Sequence, residues 1–400
     1  MIPNRFPKPD FESGYQYPDI TYAVPHEAWW TAADLVVLVV LMSIVAWAVI
    51  KRQTRRPILW VSLVSVGYFG FFRGGCVCSV GSIQNVALAL TDSNYVLPVS
   101  VLLFFLLPLL FAFLFGRVFC GGVCPFGALQ ELVNVKHVRL PAALTTVLGM
   151  IPWLYLLFAL LYAVTRSDFL ICRFDPFVPI FRLGGDMGMI VFGVALLVMS
   201  VFIGRPFCRF LCPYGVLLGL FASVSWRRVK ITKKECINCE LCHRACPVDA
   251  IRPPYANKVK ETRAQGVRRI LGYALLLPVL MLAGALLMRS ASSDLSRANK
   301  EVRLFDLTVQ HPDPEETTLP VELEAYYGAG GTPEAAAARN VAIQADFRRY
   351  ATIAGALIGL VIGWMQLHLS TKRGRRKYEI EASSCVACGR CFGYCPQNRS

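Results

Sequence analysis

Charge is what this chain has least of. Only 17% of its 400 residues are Asp, Glu, Lys or Arg, against 55% hydrophobic residues, and its mean hydropathy is +0.50. A soluble domain of this length carries more charge, so the water-soluble globular class is excluded. Histidine is scarce too: His26, His137, His243, His311 and His368 are the full set. None is paired on an apolar stretch as bis-imidazole ligation requires, which argues against haem b. Residues 1–30 are polar and aromatic, with no short apolar core of the kind a cleavable leader has. Acidic residues number 26 against 41 basic ones. The basic side chains flank apolar runs, which is the pattern of a membrane topology signal and not of a nucleic-acid surface.

Seven apolar runs are long enough to read as spans: 32–50, 58–75, 96–119, 142–164, 188–204, 268–288 and 350–369. Crossing a hydrocarbon core takes about 20 helical residues. The second run is the weakest, because its clean part reaches only from Ile58 to Phe72. Segments 51–56, 116–141, 205–269 and 370–400 together hold 28 Lys/Arg and 7 Asp/Glu, and the remainder holds 13 and 19. The positive-inside rule therefore puts the first set, with the C-terminus, in the cytoplasm and the N-terminus outside. The acidic 289–349 segment becomes a long outer loop, expected to fold loosely or dock on a partner. Its Gly328-Ala329-Gly330-Gly331 cluster follows no strand and carries no nucleotide role.

Of the 15 cysteines, eight form two runs with identical spacing. Cys236, Cys239, Cys242 and Cys246-Pro247 read C-x2-C-x2-C-x3-C-P, and so do Cys385, Cys388, Cys391 and Cys395-Pro396. Three closely spaced thiolates wrap a cubane, and the fourth leaves in a new direction. In two-cluster ferredoxins that fourth cysteine ligates the other cluster. This assigns Cys236, Cys239, Cys242 and Cys395 to one 4Fe–4S cluster and Cys385, Cys388, Cys391 and Cys246 to a second. The competing wiring keeps each run to itself. A zinc site has no use for this pattern twice. The runs are 139 residues apart from Cys246 to Cys385. The sixth span leaves the cytoplasm and the seventh returns, so both runs meet on one face with a membrane hairpin between them.

The other seven cysteines lie at span ends. Gly116-Arg117-Val118-Phe119-Cys120-Gly121-Gly122-Val123-Cys124-Pro125-Phe126-Gly127 recurs 88 residues later as Gly204-Arg205-Pro206-Phe207-Cys208-Arg209-Phe210-Leu211-Cys212-Pro213-Tyr214-Gly215. Seven of the twelve positions are identical, which signals a duplicated membrane unit. Two readings of the C-x3-C step stand: a helical face carrying sulfurs at i and i+4, or a turn with Pro125 and Pro213 opening new helices. Either brings Cys120, Cys124, Cys208 and Cys212 together as a metal or redox-active thiol site, the bland alternative being a re-entrant turn packed with small residues. Cys76, Cys78 and Cys172 sit at outer span ends, as a relay toward the outer face or as buried small residues. Arg73, Arg117 and Arg205 are expected to snorkel to headgroups.

At these motifs the chain resembles the membrane-and-ferredoxin half of NosR-type proteins, within the wider NapH-like and CcoG-like polyferredoxins. The resemblance covers about residues 30–400. It rests on Gly75-Cys76-Val77-Cys78-Ser79-Val80-Gly81-Ser82-Ile83-Gln84-Asn85, the two C-x3-C-P repeats, Cys172-Arg173-Phe174-Asp175-Pro176-Phe177 and both ferredoxin runs. In that family a periplasmic FMN domain precedes the membrane part, and electrons pass between a quinol or cytoplasmic donor and a periplasmic acceptor. Here only about 30 residues precede the first span, and no flavinylation signature is present. The resemblance therefore implies that FMN enters only through a partner.

The expected fold is an all-α polytopic membrane protein with a split ferredoxin-like unit on the cytoplasmic face of a bacterial inner membrane. Its parts are an outer segment 1–31, a duplicated core 32–226, a first ferredoxin half 227–265, a membrane hairpin 266–371 and a second half 372–400. The leading function is a membrane electron-transfer subunit with two 4Fe–4S clusters and a further thiolate-bound metal centre, working with a periplasmic flavin or haem subunit and a quinone. A copper-handling assembly factor that uses the C-x3-C-P thiols is the alternative, and a redox-sensing membrane protein is a third.

Overall fold

The structure, a computed structural model, describes residues 28–75, 79–135, 138–231, 236–254, 262–311, 313, 319–370 and 377–398. Cys76 and Cys78, with His26 and His137, lie outside the described residues, as does the side chain of His368. The first half is built from α1 (Ala28–Trp47), α2 (Arg56–Ser65), α3 (Ser82–Thr91), α4 (Val99–Phe115), α5 (Pro125–Val133), α6 (Ala142–Leu148) and α7 (Ile151–Val164). Then come α8 (Leu170–Arg173), α9 (Val178–Arg182), α10 (Met187–Phe202), α11 (Pro206–Phe210) and α12 (Pro213–Ser223). The remainder is α13 (Leu241–Arg244), β1 (Ile251–Arg252), α14 (Arg263–Ser290), α15 (Ser292–Ser296), α16 (Lys300–Gln310), α17 (Val321–Gly328), α18 (Pro333–Ser370), β2 (Glu379–Ile380) and α19 (Arg390–Tyr394).

Four helical stretches are long and apolar enough to cross a membrane: Trp29–Arg52, Ala143–Val164, Ala264–Ser290 and Pro333–Leu367. Arg56–Phe72, Val99–Phe115 and Met187–Phe202 are apolar but shorter. Four of the seven sequence runs coincide with the membrane-length helices and three with shorter ones, and Pro213–Ser223 is a further short apolar helix outside those runs. Two further short helices, α5 and α12, lie within segments rich in positive charge yet pack inside the bundle, α12 against α4 and α7, α5 against α2 and α10. Each opens on its proline, where a missing N–H costs little. In each C-x3-C-P step the proline opens a new helix after a turn, the second of the two sequence readings.

The described residues of the 289–349 segment are largely helical, in place of the loose folding expected of a loop. α18 begins at Pro333, well before the membrane run at 350, and at 38 residues it reaches about 57 Å. Its first turns protrude beyond the bundle, and α15 and α16 pack on them, burying Val302, Leu304, Ala336 and Phe347. Asn299 donates to the Thr165 carbonyl and to Ser167 Oγ, which ties this cap to the end of α7.

Within the hairpin, α14 and α18 cross backbone to backbone. A side chain at Gly284 runs into the Gly355 carbonyl, one at Gly355 into the Gly284 carbonyl, and one at Gly359 into that of Leu280. Small residues at such a crossing let membrane helices pack where no hydrophobic effect drives them together. Gly355→Val is expected to force the helices apart at a cost of about 1–3 kcal/mol or more, read as a lowered unfolding temperature in detergent.

Candidate iron–sulfur and thiol site

The ends of the hairpin bring the two ferredoxin runs together. β1 pairs antiparallel with β2, Ile251 opposite Ile380 and Arg252 opposite Glu379. The Glu381 N–H donates to the Ala250 carbonyl at 2.8 Å, Arg252 bridges to Glu381 at 2.6 Å, and α13 packs on α19. Residues on either side of the membrane hairpin therefore form one folded unit.

Both runs wrap in the same way. Asn238 and Glu240 in the first, and Ala387 and Gly389 in the second, occupy matching positions with φ between +52° and +70°. This left-handed backbone turns successive thiols toward a common centre. Gly389 is needed twice over, since a Cβ there also meets Ile58 Cδ1 at 2.9 Å.

Cys242 has Cys236, Cys239 and Cys395 as neighbours and Cys385 and Cys388 have Cys246, while Cys391 neighbours Cys246, Cys385, Cys388 and also Cys242. Burial, then repulsion from Cys236, Cys239 and Cys395, pushes the Cys242 thiol up to about 11. Burial raises Cys385 to about 12, with Cys246 and Cys388 adding to it. Burial also raises Cys388 to about 11, Glu131 and Cys246 adding to it and Arg205 opposing it. Such crowding penalises free thiolates and is relieved when a metal takes up their charge. A cavity lined by Cys236, Cys239, Cys242, Cys391, Cys395 and Tyr378 opens among these thiols. Cys246 Sγ accepts from the Ala250 N–H at 3.2 Å. Among the described residues no three Cys, His, Asp or Glu side chains converge as ligands of a single ion. A cubane differs in spreading its cysteines over separate irons. The residues fit that group.

The second thiol set belongs to the duplication. Cys124 has Cys120, Cys208 and Cys212 as electrostatic neighbours. Cys212 Sγ accepts from the Gly215 N–H at 3.3 Å, and Cys124 is paired in the same way with Gly127. The arginines of the two repeats are exchanged: Arg205 lies against Gly127 and Arg117 against Gly215. Arg117 reaches Cys120 Sγ at 3.7 Å and Gln130 reaches Cys208 Sγ at 3.7 Å.

These arginines do not snorkel, contrary to the sequence expectation. Arg205 is 0% exposed. It donates to Glu131 at 3.1 Å, to the Gly121 carbonyl at 3.0 Å and to the Cys120 carbonyl. Glu131 also takes Arg55 at 3.0 Å and Arg390 at 2.5 Å. Burial drives the Glu131 carboxyl upward, but Arg205, Arg390 and Arg55 outweigh it and hold it below the ordinary carboxylate range. Arg73 is likewise turned inward, onto buried Asp34 at 2.7 Å, with the Tyr68 hydroxyl donating to the same carboxylate. Sequence reading missed Glu131. A lone carboxylate in a positively charged segment was its only signal.

The ferredoxin unit sits directly on the thiol turn. A Cβ at Gly121 meets the Ala387 and Val386 carbonyls at 2.9 and 3.2 Å, and one at Gly219 meets that of Ser383 at 3.1 Å. Arg117 donates to the Ser383 carbonyl at 3.0 Å. On its other side, Phe126 stacks on Phe177 and Phe181 at 5.3 and 5.9 Å, and Phe177 meets Phe207 edge-on at 5.2 Å. Phe177 and Phe181 belong to the segment that follows Cys172, which is itself exposed and remote from the four-thiol set in sequence.

Comparison with known proteins agrees with this picture. A family model described as a 4Fe-4S binding domain matches residues 97–141 and 186–234, the two repeats, and a second model of the same description matches 229–252. The chain is 31% identical to the regulatory protein NosR of Pseudomonas aeruginosa over 50% of its own length and 31% of NosR. It is 30% identical to the protein NirI of Paracoccus denitrificans over 51% of itself and 33% of that protein. With the putative electron transport protein YccM of Escherichia coli it shares 29% identity over 34% of itself and 42% of YccM. The chain thus spans about a third of the length of NosR and NirI. No solved structure matches. Apolar helices and 4Fe–4S binding domains define a membrane iron–sulfur protein. Within that class, the chain is similar over part of its length to the NosR-type membrane iron–sulfur proteins.

Proposed function

We propose that this chain is a membrane electron-transfer subunit with two 4Fe–4S clusters on the cytoplasmic face and a third, thiolate-bound metal centre in the duplicated core. The observation that carries the reading is the seating of the Val386-Ala387 turn on Gly121, next to Cys120. It leaves no gap between the ferredoxin unit and the core thiols.

When bound, such clusters supply one-electron transfer. The chain's own residues supply the order of the sites. Cys239 is exposed, so the set Cys236, Cys239, Cys242 and Cys395 faces a cytoplasmic donor or quinol-linked partner. Cys246, Cys385, Cys388 and Cys391 form the inner set. Cys120, Cys124, Cys208 and Cys212 follow, with arginines and backbone N–H groups to stabilise their negative charge. The Phe126–Phe177–Phe181 stack then narrows the apolar barrier toward Cys172, with Cys76 and Cys78 as further outer thiols. A periplasmic flavin or haem subunit is the outer partner, and a quinone is a second candidate for exchange.

Purified full-length protein is expected to hold at least eight irons, the complement of two 4Fe–4S clusters, with matching labile sulfide. Metal beyond that number should vanish in a Cys120→Ser, Cys208→Ser variant. Stoichiometric copper lost from that variant would support copper handling in place of electron relay.

A further inference from the structure

Arg205 touches both redox sites at once. Its guanidinium and Cys208 Sγ both abut Gly127, each within 3.4 Å of the same point. It binds the Cys120 and Gly121 carbonyls from inside the thiol turn. The other face of that turn carries Val386 and Ala387, next to Cys388, and Arg205 has both Cys388 and Cys208 as charged neighbours. The backbone at Arg205 is left-handed, φ +52°, a conformation that a bulky residue adopts at a cost. Full burial of a charge in that backbone needs a compensating interaction, and Glu131 supplies only one negative charge to three guanidinium groups. The excess positive charge matches what thiolate-ligated metal centres bring.

Resting on the metal-centre reading above, we propose that Arg205 is a positioning residue shared by the two sites, whose fixed positive charge raises the reduction potentials of the core thiolate centre and of the Cys388-side cluster together. One electron passing from the second to the first oxidises one site and reduces the other by a single unit. Arg205 keeps its proton throughout, so no proton has to cross with the electron. Because the charge favours the reduced form on both sides, it raises both potentials while leaving the driving force between them little changed. Glu131 tempers the effect and fixes the guanidinium plane; Arg117, which reaches Cys120 Sγ and the Ser383 carbonyl and neighbours Cys385, adds a second positive charge from the other repeat, and Gln130 reaches only Cys208 Sγ.

The test is a redox titration followed by electron paramagnetic resonance on the full chain in detergent. The samples are wild type, Arg205→Gln, Arg205→Lys and Glu131→Gln, each with iron and labile sulfide counted. Arg205→Gln should disfavour reduction at both sites about tenfold, a shift of about 59 mV for a one-electron couple. Arg205→Lys keeps the charge and should restore most of it. Glu131→Gln should move both potentials upward. Unchanged potentials, or a shift at one site only, in variants with full metal content would overturn the shared role. If Arg205→Gln loses metal, a Glu131→Gln protein whose potentials do not both rise overturns it equally. A wild-type protein without a third metal signal overturns the metal-centre reading itself, a result separate from the other two.

Discussion

Replacing Cys246 with serine is expected to abolish the cluster of the other run. In the structure Cys246 neighbours Cys385, Cys388 and Cys391, whereas Cys395 neighbours Cys242. A Cys246→Ser protein should lose about four irons, the content of one cubane, and retain the signal of the Cys236, Cys239, Cys242 and Cys395 set. Adding Cys385→Ser should remove nothing more, because both residues serve one cluster. Adding Cys236→Ser instead should remove the remaining ferredoxin-type iron. Self-contained runs give the opposite pattern, with Cys246→Ser and Cys236→Ser affecting the same cluster. Iron and sulfide counts on the two double variants separate the wirings.

The second large effect concerns Glu131. Its carboxylate is buried and joins Arg55 before α2, Arg205 at the second repeat and Arg390 in α19. Arg390 continues to the Asn134 side chain and carbonyl at 2.7 and 3.2 Å. Glu131→Ala leaves three guanidinium groups facing one another without a counter-charge. Breaking a buried ion pair from one side costs about 3–5 kcal/mol. The expected outcome is a large fall in thermal unfolding midpoint, with early protease release of the segment after α18. The pH dependence follows from the depressed folded pKa of Glu131. Its contribution is complete above the ordinary carboxylate range near pH 4.3 and is lost as pH falls through the lower folded value. Glu131→Gln keeps an acceptor but not the charge, so it should be less damaging and should remove this acid-side transition.

The ferredoxin spacing, the duplication and the apolar runs were all legible in the sequence, because each depends on residues close together in the chain. The hairpin placed the two cysteine runs on one face by charge counting alone, and the β1–β2 pairing agrees with that placement. The arginines were misjudged for a definite reason. A cation at a span end snorkels by default, and only a distant partner makes burial favourable; Glu131 is 74 residues from Arg205 and 259 from Arg390. The inward packing of α5 and α12 was equally hidden, since both are short and lie in segments whose charge points to the aqueous face. The helical cap on α18 escaped notice because an alanine-rich acidic stretch looks like an unstructured loop until something packs on it.

The two-stranded sheet also has a consequence for how the protein is made. β2 and α19 leave the ribosome only after the whole α14–α18 hairpin, and among the described residues β1 pairs with Glu379–Ile380 alone. Chains fold from the N-terminus as they are synthesised, so β1 waits, with its cysteines exposed, while the entire α14–α18 hairpin is inserted. Closure of the unit therefore comes after insertion of the hairpin, and a chain whose α18 is inverted cannot pair β1 with β2. The short sheet thus makes folding on one side of the hairpin conditional on the path the chain takes through it.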